Sequence, residues 1–193
     1  MEKKLRQRPG NCVKIVLFGP ECTGKTTLSR QLAAYYNTEC VPEYMREYLQ
    51  RKWDKSKEVC VYDDMLQIAE GQMKLENEIA QKVNTLLFCD TNLLELKVYS
   101  EAYYDGAVPE TLNKISLENV YDLYLLTYID IPWIADDLRD KPHEREEMFL
   151  RFKECLDKHN LPYIVLKGDK TSRFEKALTH ISQLIEDKSE YNR

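Results

Sequence analysis

Eight consecutive residues, Gly19-Pro20-Glu21-Cys22-Thr23-Gly24-Lys25-Thr26, carry a spacing suited to holding a polyphosphate. Two glycines with four residues between them, then lysine and a hydroxyl, fit the phosphate-binding loop when a buried strand precedes and a helix follows. Both flanks are present. Val13-Lys14-Ile15-Val16-Leu17-Phe18 is nearly all apolar, and Leu28, Leu32 and Tyr35 recur at helical spacing. Gly19 and Gly24 let the backbone turn so that successive N–H groups point inward at an anion. The helix opening at Lys25 adds its positive dipole end, and Thr27 falls in its first turn. In this pattern Lys25 reaches the β- and γ-phosphates of a nucleoside triphosphate, and the Thr26 hydroxyl ligates Mg²⁺.

Other residue types suited to the same chemistry follow at strand ends. Asp90 closes the apolar run Thr85–Cys89, where a carboxylate can hold Mg²⁺ together with Thr26; capping of the next helix, shared with Asn92, is the alternative role. Glu43 follows a short strand and can accept a proton from an acceptor hydroxyl; a solvated first-turn glutamate is the alternative. Arg139 and Arg145 lie in the charge-dense stretch 136–147, where a closing lid would bring guanidinium groups onto the γ-phosphate and exclude water. They could equally pair with neighbouring Asp and Glu. Arg173, beyond the last strand, can stack on an adenine ring or sit in an ordinary capped turn. Trp133, Tyr44, Tyr48, Tyr103 and Tyr104 can line a flat apolar pocket, although core packing is the default for aromatic residues.

Positioning these groups needs strands that end on one side of a sheet. Five short apolar strands alternate with helices: 13–18, 38–41, 85–89, 121–126 and 163–166. That alternation predicts a doubly wound α/β fold with a parallel sheet and ligands at the carboxyl ends of the strands. Helices are expected over 25–36, 45–53, 64–83 and 93–104, after a stretch 106–119 read as loose, and again around 148–156. A capping box Ser172-x-x-Glu175 opens the last helix. Residues 1–11 and 187–193 read as flexible tails, and 133–147 as a helical lid on a single domain spanning 1–193.

The 193 residues suit one core. The net charge of −5 and a single short basic patch at Lys3–Arg8 argue against nucleic acid. No apolar run approaches ~20 residues, so no membrane span is expected. Six scattered cysteines without a C-x-x-C pair read as reduced thiols of a cytoplasmic protein. Three histidines lack zinc spacing. A guanine-reading Asn/Thr-Lys-x-Asp motif is missing, which disfavours a GTPase.

Taken together, the phosphate loop, Glu43-Tyr44-x-Arg46-Glu47-Tyr48, Ile68-Ala69-Glu70-Gly71-Gln72, Asp90-Thr91-Asn92-Leu93-Leu94, Tyr121–Leu126, Asp130-Ile131-Pro132-Trp133 and Asp136-Asp137-x-Arg139 resemble the ribosylnicotinamide kinase domain of the NadR family. The resemblance spans about residues 13–175. It implies ATP and Mg²⁺ as cofactors and transfer of phosphate to the 5′-hydroxyl of nicotinamide riboside, within NAD salvage. It also implies an acceptor site made from Glu43, Tyr44, Arg46, Asp90, Asn92 and Trp133. A pocket of carboxylates and aromatic rings suits a flat pyridinium cation, and Arg46 alone is thin provision for an acceptor phosphate. Two departures stand out. Asn92 replaces the last carboxylate of the family's Asp-Thr-Asp, and the chain starts within a dozen residues of its first strand, so nucleotidyltransferase and DNA-binding parts are not expected. Another nucleoside-like acceptor, or an ATP-driven switch, are the competing expectations; oligomeric state is open.

Overall fold

In the computed structural model, which describes residues 2–139 and 142–191, the strands β1 (Val13–Phe18), β2 (Cys40–Val41), β3 (Leu86–Asp90), β4 (Leu123–Thr127) and β5 (Tyr163–Leu166) form one sheet. Their order is β2-β3-β1-β4-β5 and every pairing is parallel. β1 therefore sits at the centre, where the chain winds first to one side and then to the other. Its carboxyl end is the crevice at which such sheets bind ligands.

The apolar run of β1 divides by the strand's two-residue period. Ile15 and Leu17 face a layer formed by α2 (Lys25–Tyr35) and α8 (Lys170–Tyr191), through Leu28, Leu32, Ala177 and Ile181. Val16 and Phe18 face α5 (Leu93–Tyr103) and α7 (Arg145–Lys158), through Leu94, Val98, Phe149 and Phe152. The Phe18 ring meets Phe152 and Tyr124 edge-on, at 4.9 and 5.3 Å between centroids. A third cluster joins α3 (Tyr44–Ser56), α4 (Asp64–Ala80) and α6 (Glu110–Glu118) away from the sheet. That cluster walls the ligand side of the fold.

Lys14 is the exception in β1, and its burial explains the N-terminus. Its ammonium meets Glu76 at 2.8 Å, and the same carboxylate accepts from Tyr121 Oη (2.7 Å) and Gln7 Nε2 (2.9 Å). The segment expected as a flexible lead-in is thus tied down: α1 (Glu2–Leu5) packs on α4 and α6. Asn77 and Asn119 bond its backbone at Arg6, Gln7 and Arg8, and Leu5 is fully buried. An eleven-residue polar stretch gave no periodic signal for this.

Other boundaries moved for local reasons. The loose stretch 106–119 contains α6, whose Leu112 and Ile115 are buried one turn apart. The last helix begins at Lys170, two residues before the expected capping box. Asp169 does the capping, accepting from the Ser172 N–H at 2.8 Å. That helix runs to Tyr191, so 187–191 is helix; residues 192–193 lie outside the described residues. The expected lid is turn and extended chain up to α7, with residues 140 and 141 outside the described residues. Among the described residues no helix is long and apolar enough to cross a membrane.

Leu5→Ala is expected to lower unfolding stability by about 2–4 kcal/mol, the range for removing a buried leucine side chain. Urea denaturation monitored by circular dichroism would show the midpoint fall; an unchanged midpoint would mean that the N-terminal helix is not docked in solution.

Candidate active site

The loop between β1 and α2 takes its shape from three residues in the left-handed region: Gly19 (φ 133°), Cys22 (φ 56°) and Gly24 (φ 85°). Gly19 has no alternative, because a Cβ there would lie 2.9 Å from Thr127 O and Thr127 Oγ1. Thr127 ends β4, and its hydroxyl also meets Thr23 Oγ1 at 2.7 Å. The loop is held from outside by Arg173, 3% exposed, which donates to Thr23 O (2.6 Å), Tyr128 O (2.8 Å) and Gly168 O (2.9 Å) and pairs with Asp130. The expected stacking of Arg173 on a base is therefore corrected. Its guanidinium is spent on carbonyls that fix the loop. Four of its five N–H donors are used in this way, a spread of directions that a planar fork offers and an ammonium does not.

On the inner side, Thr26 Oγ1 donates to Asp90 Oδ2 at 2.5 Å. Asp90 is the last residue of β3, and its other oxygen is buried without a hydrogen-bond partner among the described residues. Burial raises its carboxyl above the usual range, partly countered by the Thr26 hydroxyl and by Lys25. An orphaned carboxylate oxygen beside a threonine hydroxyl is the donor set that a hard divalent cation uses when phosphates and water supply its other ligands. The residues fit Mg²⁺ in that sense. Among the described residues, no group of three or more His, Cys, Asp or Glu forms a cage that would hold a metal alone.

Lys25 is buried among carboxylates. Its ammonium lies 3.1 Å from Glu95 and donates to Gly19 O and Pro20 O at 2.6 and 2.9 Å. Burial works against its charge, but Glu95, Glu43 and Asp90 outweigh that and leave it above its ordinary value. Glu43 immediately precedes α3 without a side-chain capping bond, and burial raises its carboxyl, against the pull of Lys25 and with Asp90 adding to the rise. Arg46 and Arg139 also pull on Glu43, and Arg30 on Asp90, so the acids of this corner share several cations.

A cavity of about 570 Å³ opens from the phosphate loop. Residues 21–27, Glu43, Arg46 and Arg139 line it together with the apolar and aromatic side chains of Met45, Leu49, Trp53, Met65, Tyr103 and Tyr104. Lys25, Thr26, Glu43, Arg46 and Arg139 thus converge, with Asp90 directly behind Thr26. Arg46 and Arg139 are both paired with Asp136, at 2.5 and 3.3 Å. Arg145 is turned to the protein: it donates to Ile131 O (2.9 Å) and Cys22 O (3.3 Å) and lies over the Trp133 ring at 5.6 Å. It braces the loop against the stretch that follows β4, and is not directed at a phosphate.

Three expected acceptor contacts fall elsewhere. Trp133 stacks under Arg145, outside the cavity lining. Tyr44 packs its ring on α4; a Cβ on Gly71 would come within 1.9 Å of it, which explains that glycine. Asn92 is buried and caps α5, accepting from Glu95 N–H at 3.1 Å. Sequence reasoning missed Trp53, hidden in a charged helix, and Glu95. A lone acid among leucines, Leu93-Leu94-Glu95-Leu96, one turn past a strand end, was the available signal.

A family model described as an AAA domain matches residues 14–173. The trifunctional NAD biosynthesis/regulator protein NadR of Escherichia coli is 26% identical over 174 residues, covering 89% of this chain and 42% of the relative. NadR of Salmonella typhimurium is 25% identical over the same shares. The chain thus spans less than half the length of these curated relatives. Among solved structures, NadR in complex with NR superposes with a TM-score of 0.75 at 22% identity, covering 91% of this chain and 52% of that one. Deoxyadenosine kinase from M. mycoides gives 0.64 at 16% identity, covering 89% of this chain and all of the other. The fold is that of the phosphate-loop nucleoside kinases.

Arg173→Ala is expected to cost about 3 kcal/mol of stability, the scale for breaking a buried charged network. It should also weaken magnesium-ATP binding at least ~10-fold, since the loop loses its outer clamp. Thermal melts and calorimetry would check both; unchanged affinity would show that the loop keeps its shape unaided.

Proposed function

The chain belongs to the AAA-domain family, and we propose that it is an ATP-dependent kinase that phosphorylates the 5′-hydroxyl of nicotinamide riboside, giving nicotinamide mononucleotide. The observation that carries this reading is one continuous cavity joining the phosphate loop, the Glu43 carboxylate and an aromatic wall. A nucleoside monophosphate acceptor would need uncommitted cations, whereas Arg46 is already paired with Asp136. A flat pyridinium cation suits Trp53, Tyr103 and Tyr104 through ring contact worth ~0.5–2 kcal/mol. The likeness to NadR bound to NR supports the same acceptor.

In this mechanism the loop N–H groups and Lys25 hold the β- and γ-phosphates. Thr26 and Asp90 would hold Mg²⁺, which when bound offsets phosphate charge. Glu43 accepts the proton of the sugar alcohol as its oxygen attacks the γ-phosphorus; the new O–P bond forms as the bond to the β-phosphate oxygen breaks, and ADP leaves. Arg139 lines the cavity but is held by Asp136 as Arg46 is, and would reach phosphate oxygens only by giving up that ion pair. Trp133 and Tyr44 keep supporting places behind this machinery, with Asn92 fixing α5. The cysteines, all free thiols among the described residues, suit a cytoplasmic enzyme.

A coupled ADP-release assay over a panel of nucleosides tests the acceptor. Turnover only with nicotinamide riboside supports the reading; turnover with deoxynucleosides would transfer it to that acceptor class; equal turnover without any acceptor would make the protein an ATPase. Lys25→Ala should cost at least ~10³ in rate through lost phosphoryl stabilisation. Because the folded carboxyl of Glu43 is raised, the base form is lost as pH falls through that raised value, so kcat should decline on the acid side. Glu43→Gln should remove that acid limb with most of the activity; a near-normal rate would shift the base role to Asp90.

A further inference from the structure

Glu95 belongs neither to the motif nor to the cavity lining, yet it touches the lysine on which phosphate binding depends. Its side chain is 1% exposed. One carboxylate oxygen lies 3.1 Å from Lys25 Nζ, and the other accepts the Gly19 N–H at 3.3 Å. With Gly19 O and Pro20 O also accepting from the ammonium, Lys25 is drawn back against the start of the loop. The cavity reaches Lys25 and stops short of Glu95. The acid thus grips from behind the cation that a triphosphate must grip from the front.

We propose that Glu95 is a positioning residue whose carboxylate competes with nucleotide phosphate for the Lys25 ammonium. The inference rests on the nucleotide-binding half of the function proposed above and deepens it. In a water-poor site an acid ~3 Å from an ammonium is a strong competitor, because low dielectric magnifies the attraction. An arriving phosphate also repels a charged Glu95. The favoured bound state is one in which Glu95 takes a proton from solvent while Lys25 keeps its own.

The surroundings make that exchange accessible. Facing Glu95 are Lys25 from α2, Glu43 from the start of α3 and Asp90 from the end of β3; Tyr99, one turn along α5, lies in the field of Glu95, Glu21 and Glu43. Burial pushes the Glu95 carboxyl up to about 8, resisted by Lys25 and reinforced by Glu43 and Asp90. The acid is therefore largely neutral near neutrality and ionised in alkali. Nucleotide affinity should fall as pH rises through that value, approaching tenfold per unit once binding requires a proton.

Calorimetric titration of the full chain with magnesium AMP-PNP, near pH 7 and near pH 9, in two buffers of different ionisation enthalpy, tests this. The wild type should lose about tenfold in affinity between the two pH values and take up most of a proton at the higher one. Glu95→Gln should bind about tenfold tighter than wild type near pH 9, with its slope flattened and its proton uptake lost; a residue that merely supports the fold would weaken binding. Weaker binding by Glu95→Gln, or an equal pH slope in both proteins, would overturn the proposal and assign the slope to Glu43 or Asp90. Should Glu95→Gln not fold, Glu43→Gln and Asp90→Asn decide together: proton uptake retained in both supports Glu95, and uptake abolished in either overturns it. Wild type that binds no nucleotide at either pH overturns the nucleotide reading along with it, whereas binding without proton uptake overturns only the role of Glu95.

Discussion

Lys25 is buried with Glu95, Glu43 and Asp90 around it, and that concentration of charge in a water-poor corner constrains its surroundings. An ammonium without a counter-charge would not stay ionised there, and three carboxylates without cations would not either. The parallel sheet solves the placement. β1 and β3 are adjacent and in register, with Leu17 opposite Asp90, so the loop after one strand and the acid at the end of the other meet without a long side chain bridging them. Helix α5 then carries Glu95 in from the far side, capped by Asn92.

The same corner needs a rigid frame. Backbone N–H groups bind an anion only if they already point at it, so conformational freedom in the loop would have to be lost on binding. Arg173 fixes Thr23 from outside, Thr127 closes on Gly19 so tightly that no side chain fits, and Arg145 joins Cys22 to Ile131. None of these three contributes a reactive group. Together they hold one loop in one shape, and two of them are arginines that sequence reasoning assigned to the ligand.

What was legible in the sequence followed from short-range physics. The glycine spacing, the five apolar runs and the acids at strand ends are local patterns, and each strand appeared within about two residues of its expected place. The roles of long polar side chains were not local. Arg145 and Arg173 reach carbonyls more than forty residues away in sequence as readily as they would reach a phosphate, and composition cannot choose between the two. Trp133 and Trp53 were similarly exchangeable until α3 turned one of them toward the cavity. The N-terminal helix escaped notice because its hold is one buried leucine, a set of amide hydrogen bonds and surface ion pairs to Glu70, Glu118 and Lys114, none of which has a period. Glu95 was hidden because a charged residue in an apolar helix has meaning only when its partner, seventy residues earlier, is known.

The resulting picture is of a phosphate-loop kinase fold in which an acid-rich corner joins an aromatic cavity, and the proposed acceptor, flat, alcoholic and unphosphorylated, rests on that junction. Phosphorus NMR of ATP, magnesium and nicotinamide riboside with the purified protein tests this most directly. The γ-phosphate resonance should be replaced by a phosphomonoester resonance matched by ADP, and only when the riboside is present. Inorganic phosphate growing at the same rate with or without the riboside would contradict it.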